Sequence, residues 1–201
     1  MKNITIRRGK PEDAKDFSHL VIFTGRRYLL HIFGPGVRNI MKNLFRHREN
    51  FFSFEHTQFI EVNGEVAGMA LGYDYIQKQK QTIRGSLLVL RYLKWGIFVR
   101  MVDLLKALNV MGNIAKREYY LSNIAIYPKF RGTGLGAKLL ETVEQRAKER
   151  GNKRIALEVS TDNGKAIRLY ERFGHNIDRR ISVFSGRRKS IEVFKMSKDL
   201  S

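Results

Sequence analysis

The sequence predicts a single α/β domain, because strand and helix patterns alternate along its 201 residues and two hairpin patterns lie among them. Hydrophobic residues make up 43% of the chain and charged residues 28%, which is typical of a globular protein. No Pro- or Ser-rich segment separates one part of the chain from another. We therefore expect residues 1–201 to share one hydrophobic core.

The first half of the chain predicts a strand, two helices and a hairpin. Ile4 to Arg8 alternates like a short strand, and Pro11 favours a helix start directly after it. Apolar residues then remain dense to about His47, but Gly34-Pro35-Gly36 interrupts them and separates two helical pieces. Asn63-Gly64 lies between two strand patterns and is typical of a type I′ turn, so we expect a hairpin there.

The second half predicts a strand, a glycine loop and a helix, followed by a strand, a short helix and a closing hairpin. The first of these strands covers Tyr119 to Tyr127, and the helix after the loop ends at Gly151. Ile155 to Val159 is the next strand, and the short helix ends at Gly174. Two strand patterns flank Gly186 and form the closing hairpin.

The composition restricts the chemistry more than it restricts the binding partner. The chain has 38 Lys and Arg against 19 Asp and Glu, and a net charge of +19 attracts phosphorylated cofactors, nucleic acid or acidic membrane surfaces. A solvated basic surface explains the charge equally well, and no motif for specific nucleic-acid binding accompanies it. Without cysteine there is no thiol nucleophile and no thiolate metal site. We expect no metal, since the histidines lack ligand spacing; four of them are His19, His31, His47 and His56.

The sequence carries no pattern for export or for a membrane span. Met1 to Arg7 lacks the apolar core of a signal peptide, and no uncharged apolar run reaches the length of a transmembrane helix. We therefore expect a cytoplasmic protein.

The glycine loop is the clearest functional motif, and it reads Arg131-Gly132-Thr133-Gly134-Leu135-Gly136. Free amides and the positive end of a helix dipole favour a phosphate at such a position, and glycines let the backbone approach it. A tight turn that needs glycine for its own geometry is the alternative. A dinucleotide fingerprint also fits Gly132, Gly134 and Ala137, with Glu158 further on, but that fold normally places the loop after its first strand. A P-loop NTPase would need Gly-Lys-Ser/Thr after the glycines.

A second motif follows the next strand, and its residues are Asn163, Ala166, Leu169, Tyr170 and Gly174. With the Arg-x-x-Gly-x-Gly loop, it makes the block from Asn123 to Gly174 resemble the acetyl-CoA-binding core of the GNAT family of N-acetyltransferases. The resemblance implies a central twisted sheet, mixed and mostly antiparallel, flanked by helices. It implies acetyl-CoA as cosubstrate and a primary amine as acceptor, on a protein N-terminus, a lysine or a small molecule.

The resemblance also implies a set of cofactor-binding residues on the strand, the loop and the second motif. These are Ile124, Ala125, Ile126, Arg131, Gly132, Thr133, Gly134, Leu135, Gly136 and Asn163. Backbone groups of Ile124 and Ile126 are expected to bind the pantetheine arm, with an N–H near Ile124 facing the thioester oxygen. Amides already fixed in a strand stabilise an oxyanion without reorganising. Asn163 also suits the N-cap of the helix that follows it.

Glu158 and Tyr170 are the catalytic candidates. Their context resembles the ribosomal-protein alanine acetyltransferases within the family, which implies Glu158 as a general base acting through water and Tyr170 as the general acid for the thiolate. Strand alternation turns Glu158 away from the face that Leu157 and Val159 bury, so its carboxylate can reach a cleft. An exposed carboxylate and a core aromatic are the alternatives for the two residues. A catalytically inactive acetyl-CoA sensor would need neither.

Two features depart from the minimal family pattern. His175 follows Gly174, where the family often has Phe or Tyr. The segment at about 77–116 is longer than a strand connection needs, and its interleaved apolar and basic residues predict a helical insertion broken near Gly96. We expect the insertion to pack on the core, line the acceptor site, form a homodimer interface or contact an anionic membrane surface.

Overall fold

The computed structural model describes residues 3–80, 113–183 and 191–200. Within them the strands are β1 (Ile4–Arg8), β2 (Thr57–Val62), β3 (Glu65–Asp74), β4 (Glu118–Ile126), β5 (Arg154–Ser160), β6 (Asn176–Val183) and β7 (Ile191–Asp199). They form a seven-stranded sheet in the order β1-β2-β3-β4-β5-β7-β6. The β4–β5 pair is parallel and the other neighbouring pairs are antiparallel. The expected mixed, mostly antiparallel sheet is confirmed.

Helices cover both faces of this sheet. Their bounds are α1 (Ala14–Phe33), α2 (Val37–Arg46), α3 (Leu135–Glu149) and α4 (Gly164–Arg172). One buried cluster joins α1 and α2 to one face, and a second joins α3 and α4 to the other. None of the described helices is long and apolar enough to cross a membrane.

The turns of the first half follow from its glycine-rich dipeptides. Asn63 and Gly64 have φ angles of 52° and 80°, as a type I′ turn requires, so the predicted hairpin is confirmed. The predicted break between α1 and α2 lies at Gly34, where φ is 69°. A kink at Gly25, with φ −151° and ψ 40°, was not predicted from the sequence.

Hydrogen bonds fix α1 along β4. The Tyr127 hydroxyl donates to the Asp16 carboxylate at 2.7 Å, and the Asn123 amide donates to the Thr24 hydroxyl at 2.6 Å. These two bonds lie along the last part of β4 and just past its end, so α1 covers that part of the strand on one face. The α1 face is defined here as the side of the sheet that packs on α1.

Most of the predicted insertion at about 77–116 lies outside the described residues. Residues 75–80 are helical, and residues 113–117 lead into β4. The closing hairpin is confirmed as the antiparallel pair of β6 and β7, and Gly186 between them lies outside the described residues.

Candidate active site

The site begins where β4 and β5 separate. Their parallel pairing runs from Glu118↔Arg154 to Leu121↔Leu157 and stops there. Beyond that point β4 stays paired with β3, and β5 stays paired with β7. Within the described residues, the edge of β4 from residue 122 onward has no partner strand, which leaves it open to an extended ligand.

A β-bulge lies at the same place. In the β3–β4 pairing, Leu71 faces Asn123 and Gly72 faces Leu121, so Ser122 is the extra residue. The bulge shifts the side-chain alternation of β4 by one residue. Tyr120 turns away from the α3 cluster that holds its neighbours Tyr119 and Leu121, and Asn123, three positions further on, bonds to α1 on the same side. Ile124 and Ile126 consequently pack with the cluster under α3.

The glycine loop joins the end of β4 to α3. Gly132 and Gly134 have φ angles of 77° and 80°, which residues with a side chain rarely adopt, and a Cβ at either position would meet no atom of the described residues within 4 Å. Two hydrogen bonds brace the loop: the Arg131 Nε donates to the Ile126 carbonyl at 3.0 Å, and the Thr133 hydroxyl donates to the Phe130 carbonyl at 2.6 Å. The loop is exposed and leads into the first turn of α3, where amides lack helical partners and attract anions.

The other loop residues differ in what they can offer a ligand. The Leu135 side chain is buried in the core, so this residue has only its backbone to contribute. A Cβ on Gly136 would lie 3.8 Å from both Ile126 and Leu169, an ordinary contact, so the fold itself leaves room for a small side chain there. Asn163 is the N-cap of α4, and its side chain accepts from the Ala166 amide at 3.3 Å. The N-cap role expected for Asn163 is confirmed.

Glu158 is not the solvent-exposed carboxylate that was its alternative interpretation. It is half-buried on β5, immediately after the last residue that pairs with β4, and it accepts a hydrogen bond from the Tyr120 hydroxyl. Burial raises the pKa of Tyr28 and of Tyr73, and the negative charge of Glu158 raises both further. The carboxylate thus lies among tyrosines of α1, β3 and β4 on the α1 face.

Tyr170 lies on the opposite side of the sheet. It is 6% exposed and packs in the cluster under α3 and α4, with Leu157 and Val159. Burial raises the pKa of its hydroxyl, which therefore remains protonated at neutral pH. The structure places Glu158 and Tyr170 on the two faces of β5, beside the separation from β4.

His175, the departure from the family pattern, belongs to a buried polar cluster. Its ring lies 5.8 Å from the Tyr170 ring, and its Nδ1 lies 3.8 Å from a Glu144 carboxylate oxygen. The other Glu144 oxygen accepts from Lys198 Nζ at 2.6 Å. Burial, together with the Lys198 charge, lowers the pKa of His175 to about 4. Within the described residues, neither ring nitrogen has a hydrogen-bond partner.

We expect this histidine to make the fold sensitive to mild acid. Since the folded pKa of about 4 lies below the ordinary 6.5, the unfolded chain binds the proton first, and stability falls as the pH drops from about 6.5 to about 4. His175→Phe should remove that part of the slope in urea unfolding measured across this range. His47→Gln, at an exposed histidine, should keep it. An unchanged slope in His175→Phe would show that His175 is not its source.

Sequence reasoning missed two elements of this site. Tyr120 was read only as part of a buried strand, although strand alternation and pairing with β5 would have placed it on the same face as Glu158. The bulge at Ser122 has no local signal, since Ser is common in regular strands and the extra residue appears only in the pairing with β3. Among the described residues, no group of three or more His, Cys, Asp or Glu could hold a metal ion.

The sequence of the chain is similar to those of known N-acetyltransferases. A model of the acetyltransferase (GNAT) family matches residues 33–175. An uncharacterized N-acetyltransferase of Bacillus subtilis is 37% identical over 60 residues, 30% of this chain and 38% of that protein. The ribosomal protein bS18-alanine N-acetyltransferase of Escherichia coli is 42% identical over 59 residues, 29% of this chain and 40% of that protein. The chain thus spans less than half the length of each of these two relatives.

Solved structures match over nearly the whole chain. An N-acetyltransferase from Staphylococcus aureus covers 96% of this chain and 100% of its own, with a TM-score of 0.73 and 20% identity. A putative acetyltransferase from Salmonella typhimurium, solved with its cofactor acetyl-CoA, covers 98% and 94%, with a TM-score of 0.62 and 15% identity. At such identities the likeness shows a common fold.

Proposed function

Because the chain belongs to the acetyltransferase (GNAT) family, we propose that it transfers an acetyl group from acetyl-CoA to a primary amine by direct attack of the amine. The observation that carries the proposal is the meeting of three features at one place. The Tyr120 hydroxyl bonds to Glu158, β4 and β5 separate directly after Leu121, and the glycine loop begins just beyond the end of β4. We also propose that residues 1–201 act as one domain.

The fold fits acetyl-CoA in two respects. The open space above Gly132 and Gly134 lets a phosphate approach the backbone, and the unpartnered edge of β4 suits an extended amide-bearing arm. We propose that the loop amides hold the pyrophosphate and that Ile124 to Ile126 hold the pantetheine. Asn163, already the N-cap of α4, adds a polar contact. Acetyl-CoA supplies the acetyl group as an activated thioester.

We assign the acceptor to the α1 face. Glu158 presents its carboxylate there, and an amine must lose a proton before it can attack. In this proposal a water molecule carries that proton from the ammonium to a Glu158 carboxylate oxygen. The backbone N–H near Ile124 stabilises the developing negative charge, since an amide fixed in a strand needs no reorganisation.

Tyr170, on the opposite face of the sheet, is the proposed general acid. Its raised pKa keeps the proton on the hydroxyl until a thiolate forms beside it. Tyr170→Phe keeps the packed ring but removes that proton, so we expect kcat to fall by about 10²–10⁴-fold while acetyl-CoA affinity stays the same. Steady-state kinetics and calorimetry measure the two quantities.

Tyr119→Phe is the matched control for Tyr170→Phe. Tyr119 is a buried tyrosine of the same cluster, and burial raises its pKa to about 12. We expect this variant to keep the parental kcat. If the two variants behave alike, Tyr170 is a core aromatic and the leaving thiolate takes its proton elsewhere.

The acceptor is proposed to be a protein N-terminus, a lysine or a small-molecule amine. An N-terminal acceptor is supported by the local identity to a bS18-alanine N-acetyltransferase. The test is a thiol-release assay with acetyl-CoA, followed by mass spectrometry of panels of N-terminal peptides, lysine peptides and polyamines. Binding of acetyl-CoA without an acetylated product in any panel would favour the inactive sensor instead.

A further inference from the structure

The Tyr120 hydroxyl donates a hydrogen bond to the Glu158 carboxylate across the last paired part of β4 and β5. We propose that Tyr120 is a positioning residue: it holds the Glu158 carboxylate in its ionised form where β4 and β5 separate, and thereby sets the acidic limit of acetyl transfer. The inference rests on the proposed function, since it concerns the residue assigned there as general base.

The pairing of the strands explains why Tyr120 can reach Glu158. Tyr120 faces Ala156 in the parallel register, and Glu158 is two positions beyond Ala156 on the same face of β5. A diagonal neighbour of this kind lies within reach of a tyrosine side chain. After Tyr120, the bulge at Ser122 and the loss of pairing carry β4 away, so Tyr120 stands at the edge of the opening.

Ring packing fixes the Tyr120 side chain. It is 5% exposed, and its ring lies 5.6 Å from the Tyr73 ring at 60°. Tyr73 in turn packs against Phe51 at 5.2 Å and His56 at 6.0 Å. Burial and the charge of Glu158 raise the pKa of Tyr120, so its hydroxyl stays protonated at neutral pH and can donate.

The surroundings of Glu158 contain groups that disfavour its ionised form and groups that favour it. Apolar aromatic packing disfavours an ionised carboxylate, whereas a hydrogen bond to the charged form favours it. Two lysines also favour the ionised carboxylate. Lys195 lies opposite Glu158 in the β5–β7 register, and Lys78 interacts electrostatically with Glu158. The titratable groups around the carboxylate, taken element by element, are Tyr28 of α1, Tyr73 of β3, Glu118 and Tyr120 of β4, Lys78 of the helical residues 75–80, and Lys195 of β7.

The test is the pH profile of kcat/KM for an acceptor identified in the panels. Tyr120→Phe keeps the ring and removes the donor, so the acidic limb should move to higher pH. On that limb we expect kcat/KM to fall about tenfold, because the loss of a hydrogen bond to a charged group raises the pKa of that group by about one unit. The alkaline plateau and the affinity for acetyl-CoA should stay at the parental values.

A second variant should shift the acidic limb in the opposite direction, and we expect it to keep the fold. A ring-fluorinated tyrosine introduced at position 120 retains the hydroxyl as a more acidic, stronger donor. It should move the acidic limb to lower pH. Its result decides the question even if Tyr120→Phe fails to fold.

Tyr73→Phe is the matched control. Tyr73 is also buried, and the charge of Glu158 adds to the effect of burial in raising its pKa. Within the described residues, however, its hydroxyl makes no hydrogen bond to that carboxylate. The Tyr73→Phe profile should therefore overlay the parental profile.

The outcomes separate this inference from the proposed function. If Glu158→Gln lowers kcat/KM at neutral pH while both changes at Tyr120 leave the acidic limb of the parental profile in place, the positioning role is overturned and the base assignment stands. A loss of kcat/KM in Tyr120→Phe that is equal at every pH also overturns it, because a purely structural role would act that way. If Glu158→Gln keeps the parental profile, the base assignment fails and the inference fails with it.

Discussion

Replacement of Gly134 by leucine is expected to abolish acetyl-CoA binding while the fold persists. Gly134 has a φ of 80° and immediately precedes α3, and a Cβ added there would have no atom of the described part of the chain within 4 Å. We propose that the pyrophosphate occupies that space, so a leucine side chain would exclude it. Isothermal titration calorimetry with acetyl-CoA measures the loss, and circular dichroism checks the fold.

Gly151→Leu is the control, because Gly151 lies just beyond the other end of α3 and has the same left-handed backbone as Gly134. Its φ is 76°, and a Cβ there would also meet no described atom within 4 Å. Both variants should lose about 1–2 kcal/mol of stability through the left-handed backbone, but only Gly134→Leu should lose binding. Arg131→Ala should weaken binding less, since the Arg131 side chain braces the loop through the Ile126 carbonyl while the backbone contacts the anion. Parental affinity in Gly134→Leu would refute the assignment of the loop.

Glu158→Gln is expected to show the second large effect, on turnover. The amide keeps the shape of the side chain but cannot accept the proton of the acceptor ammonium. We expect kcat to fall by about 10²–10⁴-fold at neutral pH and by less at alkaline pH, where more of the amine is already neutral. The measurement is kcat against pH with an acceptor identified by mass spectrometry.

An exposed carboxylate supplies the comparison for Glu158→Gln. Glu141 lies on the solvent side of α3, so Glu141→Gln should turn over at the parental rate. If Glu158→Gln also did so across the pH range, the base would have to be a water network or another carboxylate.

Local sequence signals predicted the elements that depend on local geometry. Asn63-Gly64 specified its hairpin because both residues accept positive φ angles, and Gly34-Pro35-Gly36 ended α1 because proline cannot continue a helix. The loop before α3 was predicted from its glycines, and two of them, Gly132 and Gly134, have the left-handed backbone that such a composition allows. These features need only a few neighbouring residues to be specified.

The parts of the site that the sequence left open depend on contacts between distant segments. The bulge at Ser122 arises from the β3–β4 register, and a single serine does not encode it. Strand alternation correctly turned Glu158 away from Leu157, but its neighbours come from α1, β3 and β4 and required the assembled sheet. Leu135 was included among the cofactor-binding residues, yet its side chain is buried, so the helix start limits it to a backbone contact.

We propose above all that this chain moves an acetyl group from acetyl-CoA to an amine by means of Glu158. The most direct measurement is a mass-spectrometric time course of the peptide and polyamine panels, run in parallel with the parental chain and Glu158→Gln at neutral pH. We expect an acceptor that gains one acetyl group with the parental chain and gains it more slowly, by about 10²-fold or more, with the variant. Equal rates for the two proteins, or no acetylated acceptor from a parental chain that binds acetyl-CoA, would contradict it.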